Sequence, residues 1–525
     1  MQMMPMMPMT TTTPQRAGRF YLFESESMKF CFNLTTTLCM LLALSGGAFA
    51  QQKQTPPAAA SAAANAAPES KPLPAPSSAA QKLYEAARND LLQIRVLLRN
   101  GLTQSSVGSG FLVGESDLVV TNYHVMSQIA LEPDVYVGEF VDTNGARGSV
   151  ELLAVDVLHD LAVVRVSRKG TGFFQVPKQT NELKTLTQGQ YLYSLGNPLD
   201  LGFAISEGSY NGIIGRAFYD QLMFTGPINS GMSGGPNINA EGQIAGVNVS
   251  KHLGGELVSF LVPAKFVVEL LQKVPAAPAQ ETAKTNAKTS KDFVAEIGRQ
   301  LNEHQRLMVD KLLEKPLSLK TLGPYAVPVR ESDQMRCWGR SNIKPENSYI
   351  FDQLNCQMES SIYVSHQLQT GHISIQHYYT RSKDLGSVRF SHLNSVNFKG
   401  RSGGTTKDAR LTAPSCTEEF IDNQQLSMRA VMCVRGYRKF AQLYDFSLQT
   451  ASTDQSLMHL QSRLDLKGVS FENGTRVAKL FLEALGKDGQ EAKASKASKA
   501  TKATNATNPA KDPKEVKNTS EVKAQ

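Results

Sequence analysis

Three short segments of the chain carry side chains that together could perform nucleophilic catalysis. They contain His124 in Thr-Asn-Tyr-His-Val, Asp160 in His-Asp-Leu-Ala-Val-Val, and Ser233 in Gly-Met-Ser-Gly-Gly-Pro. A serine hydroxyl becomes a nucleophile when an imidazole removes its proton, and the imidazole needs a carboxylate to fix its tautomer. The sequence therefore predicts a catalytic triad in which Ser233 attacks, His124 shuttles the proton and Asp160 orients His124.

The glycines beside Ser233 add a second catalytic element. We expect the backbone amides of Gly231 and Ser233 to point at a developing oxyanion, because glycine leaves the backbone unobstructed. Each segment is a weak signal by itself, since glycine-rich turns, lone histidines and strand-starting aspartates are common structural features. All three in one order, within a continuous β-type pattern, favour the catalytic interpretation.

The region around these segments resembles a known protease family. Residues 108–274 resemble a trypsin-like serine protease domain of the HtrA/Deg type, through the triad and through Gly108–Val113, Tyr193–Pro198 and Gly242–Ser250. The resemblance implies a mainly β, chymotrypsin-like domain of two six-stranded barrels with the triad in the cleft between them. The PDZ domain that usually follows in this family is not apparent.

The resemblance also implies substrate contacts. Gly246, Val247 and Asn248 match the strand that lies beside bound substrate, and Pro227 matches the base of the primary specificity pocket. Because Pro227 carries no carboxylate, we expect a small or medium apolar residue on the amino side of the cleaved bond. By analogy the substrates are unfolded or damaged envelope proteins. The alternative is a non-catalytic, peptide-binding chaperone whose shortened nucleophile loop fails to form the oxyanion hole.

The amino-terminal region predicts export. Met28 is the expected start of a secretory signal with an apolar centre, Leu38–Leu44, and a cleavage site after Ala50. An uncleaved anchor helix is the alternative, but this centre is shorter than the roughly 20 residues that a membrane span needs. The expected location is the periplasm of a Gram-negative bacterium or the secreted fraction.

Cysteine usage is consistent with export. Four of the six cysteines follow the protease region, namely Cys337, Cys356, Cys416 and Cys433. An even number in an exported domain predicts two disulfides in one of three connectivities, and we favour the local pairs Cys337 with Cys356 and Cys416 with Cys433. None shows the Cys-x-x-Cys spacing that zinc sites favour. We expect no metal ion and no other cofactor.

The formal net charge of +8 is concentrated in a terminal tail. Residues 487–525 hold nine lysines against five acidic residues, or +4, in a segment of low apolar content that predicts disorder. We interpret this tail as a spacer, with weak electrostatic contact to membrane or cell wall as the alternative.

With a single tryptophan there is no aromatic and basic platform, so we expect no nucleic-acid partner. Polypeptide substrates are the expected partners, and a homo-oligomer is left open.

Composition divides the chain further. We expect a signal region at 1–50, an Ala/Pro linker at 51–80, the protease domain at 81–274 beginning with a helix over Gln81–Arg99, a linker at 275–291, and an α+β domain of unknown function at 292–486. In that last domain we expect a helix over Phe293–Leu313, a closing helix over Arg476–Leu485 and mainly antiparallel strands between them. The predicted strands cover Ser348–Leu354, Ser361–Leu368, His372–Tyr379, Ala430–Tyr437, Gln442–Thr450 and Leu457–Leu466.

Overall fold

The structure, a computed structural model, describes residues 77–251, 257–274, 290–401 and 409–488. The expected signal region, nearly all of the Ala/Pro linker, most of the second linker and nearly all of the lysine-rich tail lie outside these residues. No helix in the described ranges is long and apolar enough to cross a membrane.

Six antiparallel strands close the first barrel, in the order β1-β2-β3-β6-β5-β4. A helix precedes the barrel and a second helix follows its third strand. The elements are α1 Ser78–Ala87, β1 Leu91–Leu98, β2 Gln104–Leu112, β3 Leu118–Thr121, α2 Tyr123–Leu131, β4 Tyr136–Asp142, β5 Arg147–Asp156 and β6 Leu161–Val166.

The helix expected over Gln81–Arg99 is wrong in its second half. Helix α1 ends at Ala87, and Leu91–Leu98 form strand β1, paired with β2 on one side and β4 on the other. Strand β1 reads Leu-Leu-Gln-Ile-Arg-Val-Leu-Leu and is buried along nearly its whole length. A sequence this apolar is compatible with a buried helix and with a fully buried strand. It forms a strand here because both of its edges pair with neighbouring strands.

The second barrel also has six antiparallel strands, in the order β10-β11-β12-β9-β8-β7. The two barrels confirm the mainly β, chymotrypsin-like fold class. The elements are β7 Tyr191–Gly196, β8 Ala204–Ile213, β9 Leu222–Phe224, β10 Pro236–Ile238, β11 Ile244–Lys251, β12 Ser259–Pro263 and α3 Ala264–Leu271.

A seven-stranded antiparallel sheet dominates the remaining residues, in the order β15-β16-β19-β23-β22-β21-β20. A small three-stranded sheet (β13-β14-β24), the β17-β18 hairpin and three helices accompany it. The elements are α4 Ser290–Leu313, β13 Ser318–Leu322, β14 Tyr325–Val329, β15 Met335–Ser341, β16 Tyr349–Met358, β17 Ile362–Ser365, β18 Leu368–Thr370, β19 His372–Ser382, α5 Ser387–Arg401, β20 Ser415–Asp422, β21 Ser427–Gly436, β22 Tyr444–Ser452, β23 Met458–Val469, α6 Phe471–Glu483 and β24 Gly486–Lys487.

Two disulfides join neighbouring strands of this sheet. Cys337 on β15 is bonded to Cys356 on β16, and Cys416 on β20 is bonded to Cys433 on β21. In both cases the two cysteines stand directly opposite each other in the strand register. The disulfides predicted for this region are therefore present, and in the local pairing.

The expected elements of this region are present with shifted ends, apart from one strand. The predicted strand Ser361–Leu368 is a hairpin, in which β17 and β18 turn back on each other. Helix α5 and strands β13, β14, β15, β20 and β24 were not expected. Strand β20 is almost entirely exposed, so its sequence lacks the alternating burial that identifies a strand.

The first barrel and part of the carboxy-terminal elements share one hydrophobic cluster. A single cluster of buried residues joins Leu152 and Val164 of the first barrel to Ile297 of α4 and Val364 of β17. Gln300 on α4 also reaches the barrel, donating to the Val155 carbonyl at 2.9 Å and accepting from the Val157 amide at 2.8 Å. The carboxy-terminal elements are thus packed onto the first barrel.

Replacing Ile297 with alanine should lower the free energy of unfolding by about 2–5 kcal/mol, because the side chain is fully buried in this shared core. Urea denaturation followed by both tryptophan fluorescence and circular dichroism measures the change. Val388→Ala is the control, since Val388 is 82% exposed on α5. A loss for Ile297→Ala as small as the loss for this control would contradict the shared core.

Candidate active site

His124 lies in the first turn of α2, where Asp160 reaches it. One carboxylate oxygen of Asp160 accepts from the backbone amide of His124 at 2.8 Å, and the other contacts its ring Nδ1 at 2.6 Å. Asp160 directly precedes β6 and has a left-handed backbone with φ of 55°, which few non-glycine residues adopt. Its carbonyl accepts from the Tyr123 amide and from the Asn122 side chain. These contacts hold the carboxylate at the helix start.

The Asp160 carboxylate controls the charge of His124. Burial lowers the pKa of the imidazole, but the negative charge of Asp160 and its hydrogen bond outweigh burial, so the pKa is raised above 6.5. Because Nδ1–H donates to Asp160, the neutral ring carries its lone pair on Nε2. The His124 side chain is 28% exposed, so Nε2 can act as a base toward the cleft.

The loop that carries Ser233 packs against the segment before His124. The Ser233 carbonyl accepts from the Ser109 amide at 2.7 Å, and Ser109 in turn accepts from the Thr121 hydroxyl through its own carbonyl. Gly234, with φ of 87°, has no room for a side chain: an added Cβ would lie 2.2 Å from the Ser109 carbonyl oxygen and 2.4 Å from Thr121 Oγ1. The glycine after the serine therefore permits the approach of the two barrels.

The Ser233 hydroxyl donates to the backbone carbonyl of Val249 at 2.9 Å. Among the described residues, no hydrogen bond joins this hydroxyl to His124. The arrangement thus brings the His124–Asp160 pair and Ser233 to the same junction of the barrels, with the hydroxyl turned toward β11.

The peptide between Ser230 and Gly231 has a defined orientation. The Ser230 carbonyl accepts from the Leu199 amide at 2.7 Å. Because the carbonyl and N–H of a trans peptide point in opposite directions, the Gly231 N–H points away from Leu199. Within the described part of the chain, the amides of Gly231 and Ser233 donate no hydrogen bond. Both predicted oxyanion donors are therefore available.

The backbone edge that is open to a substrate begins later in the sequence than predicted. Gly246 and Val247 are paired on both sides, with β10 and β12, and Val247 is fully buried. Asn248 donates its amide to the Gly235 carbonyl and accepts from the Gly234 amide. These residues therefore have no free backbone edge for a peptide, which corrects the prediction that Gly246, Val247 and Asn248 contact substrate.

The side chain of Asn248 is structural as well. It accepts from the Ser194 hydroxyl at 2.8 Å and donates to the Leu195 carbonyl at 3.0 Å, and it is fully buried. Past Asn248, no described strand pairs with β11 on the side of the serine loop, so an open edge begins at Val249. A backbone carbonyl gives no signal in residue type, which is why the sequence did not identify Val249.

Pro227 lies exposed in the loop before Ser233, and its carbonyl accepts from the Ser206 hydroxyl at 2.8 Å. Its neighbour Gly226 is buried against the ring of Phe224. The placement of Pro227 at the base of a specificity pocket stays a prediction.

The β17-β18 hairpin reaches the histidine from the carboxy-terminal elements. The ring of Tyr363 meets the ring of His124 edge to face, with centroids 5.9 Å apart. The Tyr123 hydroxyl, one residue before His124, donates to the Val364 carbonyl at 2.8 Å. A cavity of about 420 Å³ is lined by His124, Asp160, Val249, Tyr363 and Tyr219. No local motif marks Tyr363, because only long-range packing brings it here.

A second histidine, His159, lines the same cavity and is paired with a carboxylate behind it. The ring Nδ1 of His159 contacts the Asp156 carboxylate at 2.8 Å, and the ring stacks on Phe266 with centroids 3.5 Å apart. Burial raises the pKa of Asp156, but the hydrogen bond and charge of His159 outweigh burial and lower it overall. This pair fixes the turn that precedes Asp160.

No group of three or more His, Cys, Asp or Glu side chains that could hold a metal ion occurs in the residues that the structure describes.

Comparison with known proteins identifies this region. Residues 108–247, which include His124, Asp160 and Ser233, match the family model of the trypsin-like peptidase domain. This part of the chain is therefore similar to trypsin-like peptidase domains. It is similar to the HtrA-type serine proteases, which confirms the resemblance seen in the sequence.

Two relatives illustrate the similarity. The probable periplasmic serine endoprotease DegP-like of Brucella suis is 29% identical over 202 residues, covering 36% of this chain and 38% of the relative. Mouse serine protease HTRA4 is 25% identical over 203 residues, covering 36% and 40%. The solved serine endoprotease from Yersinia pestis has a TM-score of 0.32 at 23% identity, covering 38% of this chain and 66% of that one. The chain thus spans about two fifths of the length of the curated relatives it matches.

The His124 titration tests the electrostatic account of the pair. We expect a midpoint above pH 6.5 in the wild type, because the Asp160 charge favours the protonated ring. Asp160→Asn should move the midpoint below 6.5, since burial then acts without the compensating charge. Carbon-detected NMR of labelled histidines, assigned with His124→Gln, measures both values. Asp117→Asn, which neutralises the carboxylate paired with Arg165 on the barrel surface, is the matched control. A midpoint unchanged by Asp160→Asn would refute the pairing.

Proposed function

We propose that the protein is a serine endopeptidase in which His124, Asp160 and Ser233 form the catalytic triad. The hydrogen-bonded His124–Asp160 pair carries this proposal, because it supplies a base of defined tautomer beside the serine loop. The open Gly231 and Ser233 amides support an oxyanion hole. The similarity of residues 108–247 to trypsin-like peptidases gives independent support.

The reaction begins with a rotation of the Ser233 side chain. Its hydroxyl exchanges the hydrogen bond to the Val249 carbonyl for one to Nε2 of His124. Oγ then attacks the peptide carbonyl carbon while its proton moves to Nε2, and the carbonyl oxygen becomes an oxyanion facing the Gly231 and Ser233 amides. Asp160 stabilises the imidazolium that forms.

The second half of the reaction returns the proton. The imidazolium protonates the leaving amine, the carbon–nitrogen bond breaks, and an acyl group stays on Ser233. A water molecule, deprotonated by His124, then attacks the acyl carbon and releases the carboxylic acid product. Ser233 regains its proton, and the enzyme is unchanged.

The substrates that fit are unfolded or damaged envelope proteins. Extended segments expose backbone groups that can pair with an open strand edge, and the edge of β11 beyond Asn248 offers one. The primary specificity proposed from Pro227 is a small or medium apolar residue on the amino side of the cleaved bond. Location in the periplasm or outside the cell is supported by the two disulfides and by the names of the periplasmic relatives.

Covalent labelling tests the nucleophile. The wild type should react with a fluorophosphonate probe at Ser233, and Ser233→Ala should remove the label. Ser167→Ala, which changes an exposed serine after β6, should label like the wild type. A folded wild type that never labels would contradict catalysis and favour the peptide-binding chaperone.

Casein cleavage tests the triad as a unit. Ser233→Ala and His124→Ala should each lower kcat on the order of 10⁴-fold or more, because triad members act together. His392→Ala, at an exposed position of α5, should keep full activity. Circular dichroism checks that each variant is folded. Activity near the wild type in either triad variant would reject the assignment.

A further inference from the structure

A second cavity lies beside the one at His124. It has a volume of about 650 Å³ and is lined on one side by the loop after β8 and on the other by β15, β16, β19 and β23. The two cavities share Gln221, Ser361 and Gln369 in their linings. They are therefore adjacent, and together they extend from His124 past the hairpin to the seven-stranded sheet. We name the far part, lined by Arg216, Arg336, Trp338 and Lys467, the basic chamber.

Positive charge dominates the basic chamber. Arg216, Arg336 and Lys467 face one carboxylate, Glu359, which contacts Arg336 at 3.0 Å. Arg216 and Lys467 are exposed, and neither forms an ion pair with any residue that the structure describes. His372 also lines the chamber, but its Nε2 contacts the Met358 carbonyl at 3.1 Å. Burial and the neighbouring Lys467 lower its pKa, so the ring is neutral near pH 7.

An aromatic surface accompanies these cations. Trp338 is 42% exposed, although large aromatic side chains are usually well buried. The Arg336 guanidinium lies over its ring, 5.1 Å from the centroid. This contact and the 3.0 Å ion pair with Glu359 hold Arg336 in place. Preorganised guanidinium groups next to an aromatic surface suit carboxylates carried on a peptide.

We propose that the basic chamber binds a carboxylate-bearing segment of the polypeptide whose backbone passes His124. Arg216, Arg336 and Lys467 recognise the carboxylates, and Trp338 packs against the peptide. The ligand is an acidic side chain or a free carboxy-terminal carboxylate, which share this chemistry. The inference rests on the proposed function only in treating the bound peptide as a substrate.

Trp338 is the only tryptophan in the chain, so its fluorescence reports on the chamber directly. The full chain carrying Ser233→Ala, which cannot cleave, is titrated with a tetraglutamate peptide blocked at both ends. We expect a saturable change in fluorescence. Arg216→Gln with Lys467→Gln should weaken binding at least about tenfold, because two of the three cations are lost. Arg340→Gln with Lys320→Gln, which removes two exposed charges outside the chamber, is the matched control.

Two further peptides separate the sources of the carboxylate. Tetraglutamine with a free carboxy terminus tests the terminal carboxylate, and fully blocked tetraglutamine provides no carboxylate. Saturable binding of either carboxylate peptide, absent for the fully blocked peptide, supports the chamber. Three results would overturn it: no saturable change with either carboxylate peptide, equal affinity for the fully blocked peptide, or equal affinity in the two double variants.

These experiments test the proposed catalysis and the proposed peptide binding independently of each other. Peptide binding to the Ser233→Ala protein does not depend on turnover, whereas fluorophosphonate labelling of the wild type does not depend on the chamber. The chamber variant should therefore label at the wild-type rate. In casein cleavage it should raise KM with little change in kcat.

Discussion

The Asp160 carboxylate is the contact on which the site depends. Its two oxygens bind the backbone and the ring of the same residue, His124, so that one side chain fixes both the start of α2 and the orientation of the imidazole. The left-handed backbone at Asp160 makes this double contact geometrically feasible, at an energetic cost of order 1–3 kcal/mol. Such strain persists because the Asp160 carbonyl and the His159–Asp156 pair hold the turn from both sides.

The carboxy-terminal elements are part of the site as well as of the core. They share buried apolar residues with the first barrel, and they place Tyr363 against His124. A barrel with only its own loops would leave that side of the cleft open. The wall of the cleft beside the histidine is therefore set by a segment more than 200 positions later in the chain.

The sequence identified the elements whose signal is local. The resemblance to the HtrA/Deg family, carried by the motifs around His124, Asp160 and Ser233, implied the two-barrel fold, and the even number of cysteines predicted two disulfides. The sequence did not identify the features that depend on strand pairing. Leu91–Leu98 became a strand because β2 and β4 flank it, and the open edge of β11 begins at Val249 because β10 is short. Tyr363 and the basic chamber arise from distant segments, which no periodicity in a single sequence reveals.

The two disulfides occupy a particular place in the seven-stranded sheet. One joins the first strand in the spatial order to its neighbour, and the other joins the last strand to its neighbour. Border strands are prone to fray and to recruit foreign chains, and β20 has almost no buried side chain to retain it. The disulfides at both edges of the sheet compensate for this missing packing. In a reducing compartment these edge strands would separate first and expose unpaired backbone N–H and C=O groups. The integrity of this sheet therefore depends on an oxidising environment.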